Sequence, residues 1–350
     1  MKRLLLALAV LAGLAATAFG LALAAATRPF DPPATVPGYR QAQLEVAHRD
    51  VPLSVHVWYP ATQGTPQLIG QNALFYGHHV RPDAPLPGQA PVVVLSHGSG
   101  GNAVQLGWLA AHLANRGYLV IAANHPGTTS RDSLPARTVM VWERTADLTA
   151  LLDWIDSGGL PGFAVAGGVT AAGFSLGGHT ALAAGGLRVS KAAFIAYCDR
   201  NAGKVDCGWM QASGVDFTTI DATRYEADLS DPRVTRVIAI DPALPQAATE
   251  DSLAAMALPV QVVNLGEPDT IPEAMRADGI AARMPQARHV AVPGAAHFSA
   301  LPRCSWLGVA VIGLAGDDNI CSDRGLRPRD EVQQDILARI DAFLPPATPH

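Results

Sequence analysis

The sequence has few charged residues, and they form no basic stripe. Charged side chains make up 16% of the 350 residues, and the formal net charge is -5 at pH 7. A nucleic-acid-binding surface needs clustered Lys and Arg to neutralise phosphates. With 49% hydrophobic residues and no internal repeat, the chain is instead long enough for one large buried core. These features predict a globular protein without a nucleic-acid partner.

The sequence also lacks the motifs of metal and phosphate sites. No C-x-x-C pair and no His cluster at ligand spacing accompanies the four cysteines. The glycine-rich segment His97–Gly101 has no G-x-x-x-x-G-K-[ST] lysine, which a phosphate-binding loop of that kind requires. The sequence therefore predicts neither a metal ion nor an organic cofactor.

Residues 1–26 have the pattern of an export segment. Two basic residues precede an apolar run, Leu4–Ala26, which ends in small residues before Thr27. This order is typical of a cleaved signal peptide. The run is also long enough to span a bilayer as a retained anchor. Either alternative predicts that residues 27–350 lie outside the cytoplasm, periplasmic or secreted.

Four cysteines fit an oxidising compartment. Cys198 and Cys207 are nine residues apart, and Cys304 and Cys321 are seventeen apart. Four cysteines allow three connectivities, and the sequence alone does not choose among them. Pairing within each close pair closes two short loops, which suits an exported protein. We therefore expect the disulfides Cys198–Cys207 and Cys304–Cys321.

Apolar runs alternate with helical patterns along the chain. Continuous runs such as Val92–Ser96 and Tyr118–Ala123 are typical of strands buried on both faces of a parallel sheet. Segments such as Glu143–Ile155, with apolar residues at helical spacing, come after them. This alternation predicts an α/β fold with a mostly parallel central sheet and helices on both faces. Leu44–His48 and Leu53–Tyr59 predict an antiparallel hairpin at the sheet edge.

Two segments depart from this alternation. Residues 199–232 show no clear periodicity where the next strand is due, and they predict a loop or small lid-like insertion near the site. Residues 345–350 form a Pro-rich tail. The remainder of residues 27–350 is expected to be a single domain.

The segment Val169–Gly178 has the pattern of a nucleophile elbow. An apolar, β-branched lead-in ends in Gly-Phe-Ser-Leu-Gly, a G-x-S-x-G motif, and a helical pattern comes next. In such an elbow a strand turns sharply into a helix and exposes the serine, here Ser175. A serine needs a base to take its proton, and a neutral imidazole suits that role. His297, in a Gly/Ala turn after the last predicted strand, is the candidate base.

Two aspartates compete for the carboxylate that orients this histidine. Asp269 follows the penultimate predicted strand, and Asp241 follows the strand before it. Either could instead cap a helix or form a turn. A buried carboxylate is needed to hold the imidazole tautomer and to stabilise the imidazolium. The sequence favours Asp269 and leaves Asp241 as the alternative.

The backbone is expected to supply an oxyanion hole. One N–H donor is that of Leu176, the residue after the nucleophile. The second is that of Ser99, in the loop after the Val92–Ser96 strand, where flanking glycines let the backbone come close. By contrast His179, one turn beyond the serine, is interpreted as a packing residue.

At these residues the chain resembles the α/β-hydrolase superfamily. Within it, the chain is similar to exported bacterial proteins called predicted dienelactone hydrolases, which are related to platelet-activating-factor acetylhydrolases. The resemblance rests on Val57–Ala61, Leu95–Gly101, Asn124–Gly127, Gly173–Gly178, Asp231–Arg233, Ile240–Leu244 and Gly294–Phe298. It covers most of the chain after residue 26.

Two departures limit what the resemblance implies. True dienelactone hydrolases use a cysteine where Ser175 stands, so the resemblance favours a general carboxylesterase. The acetylhydrolases carry their acid at the position of Asp241, whereas most other α/β-hydrolases carry it at that of Asp269. The resemblance therefore leaves the acid open.

These observations predict an exported serine hydrolase that cleaves a small-molecule or lipid carboxylic ester through an acyl-enzyme. One alternative is a non-catalytic binding protein on the same fold. Another is a membrane-anchored enzyme that hydrolyses lipid acyl esters, with residues 4–26 holding it at the bilayer.

Overall fold

The computed structural model describes residues 2–314, 319–323 and 327–347. Its strands are β1 (Gly38–Leu44), β2 (Leu53–Tyr59), β3 (Gln67–Ile69), β4 (His78–Pro82), β5 (Gln89–Ser96), β6 (Leu119–Asn124), β7 (Ala164–Phe174), β8 (Val234–Ile240), β9 (Val260–Leu265) and β10 (Ala287–Val292). They form one sheet in the order β10-β9-β8-β7-β5-β6-β2-β1-β4-β3. Strands β5 to β10 run parallel to one another, and β2 joins them antiparallel to β6.

Helices lie on both faces of this sheet and at its periphery. They are α1 (Lys2–Ala26), α2 (Gly107–Asn115), α3 (Pro135–Thr138), α4 (Val141–Asp156), α5 (Leu176–Ala184), α6 (Lys191–Arg200), α7 (Val205–Ala212), α8 (Ala222–Tyr225), α9 (Glu250–Ala255), α10 (Asp278–Ala281), α11 (Trp306–Leu314) and α12 (Arg329–Phe343). Short 3-10 helices lie at Ala103–Leu106, Phe217–Thr219, Pro245–Ala247, Glu273–Met275 and His297–Ala300.

Two apolar cores sit on opposite faces of the sheet. Leu151 of α4 and Leu182 of α5 belong to one, and Leu109 of α2 and Ile336 of α12 belong to the other. The central strands are mostly apolar, as expected of strands whose two faces are both covered, and this is the pattern that predicted a parallel sheet. The predicted α/β class and the helices on both faces are confirmed.

The sheet edge and the lid-like segment differ from the expectation in detail. The hairpin β1–β2 is antiparallel as predicted, but its first strand ends at Leu44, so most of Leu44–His48 lies beyond that strand. Residues 199–232 were expected to be irregular, yet they contain α7 and α8. These helices are short, and their apolar residues pack in a cluster with Leu176 rather than on the sheet. Short amphipathic helices of this kind leave a weak periodic signal.

The disulfides are those expected. Cys198 bonds Cys207 between α6 and α7, and Cys304 bonds Cys321 across the segment that holds α11. Of the Pro-rich tail, only residues 345–347 lie within the described residues. There the hydroxyl of Tyr118 donates to the carbonyl of Pro345, which ties this part of the tail to the sheet.

Two glycines allow β7, α5 and β5 to approach one another. A Cβ on Gly173 would lie 2.0 Å from the carbonyl oxygen of Gly177, and a Cβ on Gly177 would lie 2.0 Å from that of Ser96. Both obstacles are backbone atoms, which cannot rotate away. The turn between β7 and α5 therefore requires residues without a Cβ at these positions.

Replacing Gly177 by Ala should destabilise the fold strongly. The overpacked backbone should lower the free energy of unfolding by about 2 kcal/mol or more, measured by urea unfolding and circular dichroism. Gly279→Ala in α10 is the matched control, because a Cβ there meets no atom within 4 Å. That variant should be neutral or stabilised by up to about 1 kcal/mol. Equal unfolding free energies for the two variants would contradict the packing argument.

Candidate active site

Ser175 stands in a strained turn between β7 and α5. Its backbone angles are φ 56° and ψ -122°, a region that residues with a side chain seldom occupy. The surroundings hold it there: its N–H donates to the carbonyl of Ile240 at 2.9 Å, and its carbonyl accepts from the N–H of Ala243 at 3.0 Å. The elbow predicted from G-x-S-x-G thus has its expected geometry.

His297 connects this serine to a carboxylate. Its Nε2 lies 3.2 Å from Ser175 Oγ, and its Nδ1 lies 2.9 Å from Asp241 Oδ2. An ionised carboxylate only accepts hydrogen bonds, so Nδ1 carries the proton and the Nε2 lone pair faces the serine hydroxyl. That is the tautomer a general base needs.

Asp241 is enclosed by hydrogen-bond donors. Its Oδ1 accepts from Asn264 Nδ2 at 2.9 Å and from the N–H of Leu265 at 2.8 Å, while Oδ2 faces His297. The side chain is fully buried. Its backbone also has a positive φ of 44°, which turns the chain at the end of β8. The carboxylate therefore has a single orientation, aimed at the imidazole.

The preference for Asp269 is corrected by this placement. Asp269 lies exposed in the turn after β9, where the N–H groups of Thr270 and Ile271 bond back to Glu267. The end of β9 instead presents Asn264 and Leu265, which hold the carboxylate that comes from the neighbouring strand β8. The alternative candidate, Asp241, is the residue that reaches His297.

Asn264 is a site residue that the sequence interpretation missed. Besides Asp241, its Nδ2 donates to the carbonyl of Met275 at 2.7 Å, and its Oδ1 accepts from the N–H of Ala277 at 3.1 Å. His289 Nε2 lies 2.9 Å from the same oxygen. The signal was an amide side chain at the end of a mostly apolar strand, since a buried polar group needs partners.

The glycine-rich loop after β5 lies directly against the serine. A Cβ on Gly98 would be 3.2 Å from Ser175 Cβ. Gly100 donates to Thr128 and Gly101 donates to Gly98, whereas the Ser99 N–H has no acceptor among the residues described. Leu176 begins α5, where the first N–H groups of a helix have no intrahelical acceptor. The Gly98 contact thus brings the loop that holds Ser99 against the serine, and Leu176 follows the serine in the chain.

A fully buried arginine binds the residues next to this loop. Arg144 of α4 donates through Nη2 to the carbonyl of His97 and to Ser96 Oγ, and through Nη1 to Thr128 Oγ1 at 2.6 Å. Burial lowers the pKa of Arg144 to about 9, and Asp147 opposes that shift. The guanidinium thus fixes the chain just before the glycines and also holds Thr128, whose carbonyl accepts from Gly100.

Asp147 balances the buried charge. It accepts from both Arg49 Nε and Nη2, and its two oxygens lie 2.8 Å from His48 Nε2 and His125 Nδ1. Burial alone would raise the pKa of Asp147, but the hydrogen bonds from His125, His48 and Arg49 hold it well below its usual range. A buried carboxylate with this many donors stays ionised.

Two buried histidines complete the support. The N–H of His125 donates to His97 Nε2 at 3.1 Å, so His97 Nδ1 carries the proton and donates to Gly98 O at 2.7 Å. Burial and the nearby Arg144 lower the pKa of His97 well below its usual value and that of His125 to about 4. Both rings are neutral at pH 7. They act as fixed hydrogen-bonding groups rather than as bases.

A cavity of about 1090 Å³ opens beside the glycine-rich loop. Its lining includes Asn102, Thr129 and Ser130 near the loop, His56 on β2, and Trp108 on α2. Ser175, His297 and Asp241 do not line it. The cavity is therefore a neighbour of the candidate site.

Comparisons with known proteins found similar solved structures. No protein-family model matches this chain, and no curated protein sequence does. A solved ferulic acid esterase from Streptomyces cinnamoneus has a TM-score of 0.57 and 18% identity over 90% of this chain and 92% of that one. A dienelactone hydrolase from Anabaena variabilis has a TM-score of 0.46 and 14% identity, over 88% and 99%. A thermophilic esterase from Thermogutta terrifontis has a TM-score of 0.46 and 18% identity, over 91% of this chain and 98% of that one.

At 18% identity the likeness to the ferulic acid esterase shows the fold alone. Together with the sheet order and the strand-to-helix turn at Ser175, it establishes that the chain has the α/β-hydrolase fold.

The two aspartates can be separated by covalent labelling. Asp241→Asn should slow the reaction of Ser175 with a fluorophosphonate by about 10^4-fold, because the amide cannot hold the productive imidazole tautomer or stabilise its charge. Asp269→Asn should leave the labelling rate unchanged. The rate is measured from the mass of the Ser175 peptide. A slow Asp269→Asn with a normal Asp241→Asn would restore Asp269 as the acid.

The buried His179 should make the fold sensitive to acid. Burial and Arg144 lower its pKa to about 4, and both ring nitrogens lack partners among the described residues. The pKa of His179 is lower in the folded state than in the unfolded state. The contribution of the neutral ring to the free energy of unfolding is therefore complete above pH 6.5 and is lost as the pH falls towards 4.

His179→Met should therefore flatten the pH dependence of stability. Between pH 7 and 5.5 the variant should lose about 1 kcal/mol less unfolding free energy than the parent, measured by urea unfolding. Leu182→Met on the same helix is the control, since it changes packing without removing a titrating group. Equal losses in His179→Met and the parent would show that folding does not lower the pKa of His179.

Proposed function

We propose that the protein is an exported serine hydrolase that cleaves carboxylic esters through an acyl-enzyme. The observation that carries the proposal is the continuous hydrogen-bonded series from Asp241 through His297 to Ser175. The likeness in fold to a ferulic acid esterase supports an ester as the substrate class. The substrate would be a small-molecule or lipid ester.

In the first half of the reaction, Ser175 Oγ attacks the ester carbonyl carbon while His297 Nε2 takes its proton. The N–H groups of Leu176 and Ser99 stabilise the negative charge that develops on the carbonyl oxygen. Each such donor contributes about 10^2- to 10^3-fold to the rate in comparable sites. The tetrahedral intermediate then collapses, and His297 gives the proton to the departing alcohol.

In the second half, a water molecule attacks the acyl-enzyme. His297 takes the proton of that water and later returns it to Ser175 Oγ, which releases the carboxylic acid. Asp241 orients the imidazole throughout and stabilises the imidazolium. No cofactor takes part in these steps, because the backbone N–H groups and the carboxylate supply the required electrostatics.

Export is supported by the two disulfides and by α1. Disulfides persist in oxidising compartments, and Cys198–Cys207 and Cys304–Cys321 are both closed. Within α1, Leu8–Ala26 is long and apolar enough to cross a membrane, as an anchor or as a signal sequence. The proposed location is periplasmic or secreted, either free or held at the membrane through this helix.

Ester hydrolysis is tested with p-nitrophenyl esters from acetate to palmitate. The parent should hydrolyse at least one member, and Ser175→Ala should reduce kcat by about 10^4-fold or more, because the nucleophile is lost. Ser157→Ala is the matched control, since that serine is exposed at the end of α4. Activity that survives in Ser175→Ala would reject the mechanism. A parent that neither hydrolyses an ester nor reacts with a fluorophosphonate would favour the non-catalytic alternative.

A further inference from the structure

Helix α11 is apolar around its whole circumference and yet exposed. Its sequence, Trp-Leu-Gly-Val-Ala-Val-Ile-Gly-Leu, contains no charged residue. Trp306 and Val309 are each 51% exposed, Val311 is 45% exposed and Leu314 is 88% exposed. A helix that is apolar on all sides is normally buried in a core or in lipid, and a contiguous exposed apolar surface marks an interaction site.

The base of α11 is held firmly on the domain. Ser305 donates through its N–H to the carbonyl of Leu74 and through its hydroxyl to that of Ala73, at 2.8 and 2.5 Å. Gly308 packs so closely on Leu74 that a Cβ would lie 2.2 Å from the Leu74 carbonyl oxygen. The disulfide Cys304–Cys321 closes the segment. The helix is therefore presented from a fixed base rather than from a free chain end.

Helix α1, which contacts α11, indicates that lipid covers α11. The two helices α1 and α11 contact each other, and Leu8–Ala26 of α1 is exposed, apolar and long enough to cross a membrane. Nine helical residues extend about 14 Å, roughly half of the 30 Å hydrocarbon core. Helix α11 can thus enter one leaflet beside a helix that can span both.

Aromatic and basic side chains surround the base of α11. The Arg303 guanidinium lies 4.7 Å above the Tyr76 ring, and Phe30, just after α1, packs edge-on against Tyr76 at 6.4 Å. Trp306 opens the helix itself. Tyr and Trp favour the level of the lipid headgroups, and Arg favours their phosphates. The composition of these residues therefore suits a position at a bilayer surface.

We propose that α11 inserts into one leaflet of a phospholipid bilayer and docks the domain on the membrane. This interaction goes beyond ester hydrolysis and does not depend on it. Its consequence is positional: Leu74, Phe75 and Arg303, at the base of α11, also line the 1090 Å³ cavity beside the glycine-rich loop. Insertion of α11 places the mouth of that cavity at the membrane surface.

The test uses the full chain reconstituted with vesicles of phosphatidylethanolamine and phosphatidylglycerol that carry bromine at mid-chain positions. Bromine quenches tryptophan fluorescence only at short range, so it reports depth in the bilayer. Trp306→Phe should reduce the quenched fraction of the emission at least twofold. Trp209→Phe is the matched control, because Trp209 is 41% exposed on α7, in the separate segment 199–232; it should not reduce the quenched fraction.

A charge on α11 should prevent insertion. The double variant Val309→Asp, Val311→Asp should reduce Trp306 quenching to the same extent as Trp306→Phe. Val51→Asp, at a valine that is also 51% exposed, should leave the quenching unchanged. Because no turnover is measured, these results are independent of the esterase test.

Three results would overturn the proposal. Quenching that is the same in the parent and in Trp306→Phe would show that α11 stays outside the acyl chains. A parent whose mass in solution is a dimer, and becomes a monomer in the double Asp variant, would make α11 an interface between copies. Trp306 shielded from acrylamide without lipid, and unquenched with it, would show that α1 covers α11 within one molecule.

Discussion

The hydrogen bond from His297 to Asp241 is the interaction on which the site depends. It aligns the imidazole with Ser175, and it exists because three elements of the sheet cooperate: β8 carries the carboxylate, the end of β9 holds it through Asn264 and Leu265, and the turn after β10 presents the histidine. Burial of a carboxylate without donors disfavours its charged form. Here Asn264 and Leu265 donate to Oδ1 of Asp241, and Oδ2 faces the imidazole of His297.

The glycine-rich loop depends on a second, separate balance of charge. Arg144 and Asp147, both on α4, are fully buried, and Arg49 and Glu143 extend the network towards the hairpin β1–β2. Breaking a buried ion pair by removing one partner leaves an uncompensated charge and costs several kcal/mol. The same residues that stabilise the fold therefore hold the backbone that, in the proposed mechanism, binds the oxyanion. Neutral His97 and His125 connect this network to the loop, because His97 bonds the Gly98 carbonyl and His125 bonds Asp147.

Local sequence patterns predicted the sheet and the elbow. The alternation of apolar runs and amphipathic helices predicted the parallel sheet, and the glycines around Ser175 predicted the elbow, because backbone crowding there excludes a Cβ. Local pattern did not decide between Asp241 and Asp269, because both aspartates come after strands. The choice depends on the hydrogen bond from Asn264, which lies 23 positions from Asp241 in the sequence. The pairing of Arg49 with Asp147 spans 98 positions, and α11 gave no periodic signal because it is apolar on every side. Contacts between distant segments set these features.

The proposed mechanism requires Ser175 to carry the acyl group, and trapping that intermediate tests it most directly. The protein is mixed with p-nitrophenyl acetate, quenched with acid during the first turnover and digested, and the peptides are weighed. The mechanism predicts one acetyl group on the peptide that contains Ser175, absent when Ser175→Ala is treated in the same way. An acetyl group on another residue, or p-nitrophenol release with no acylated peptide at all, would contradict it.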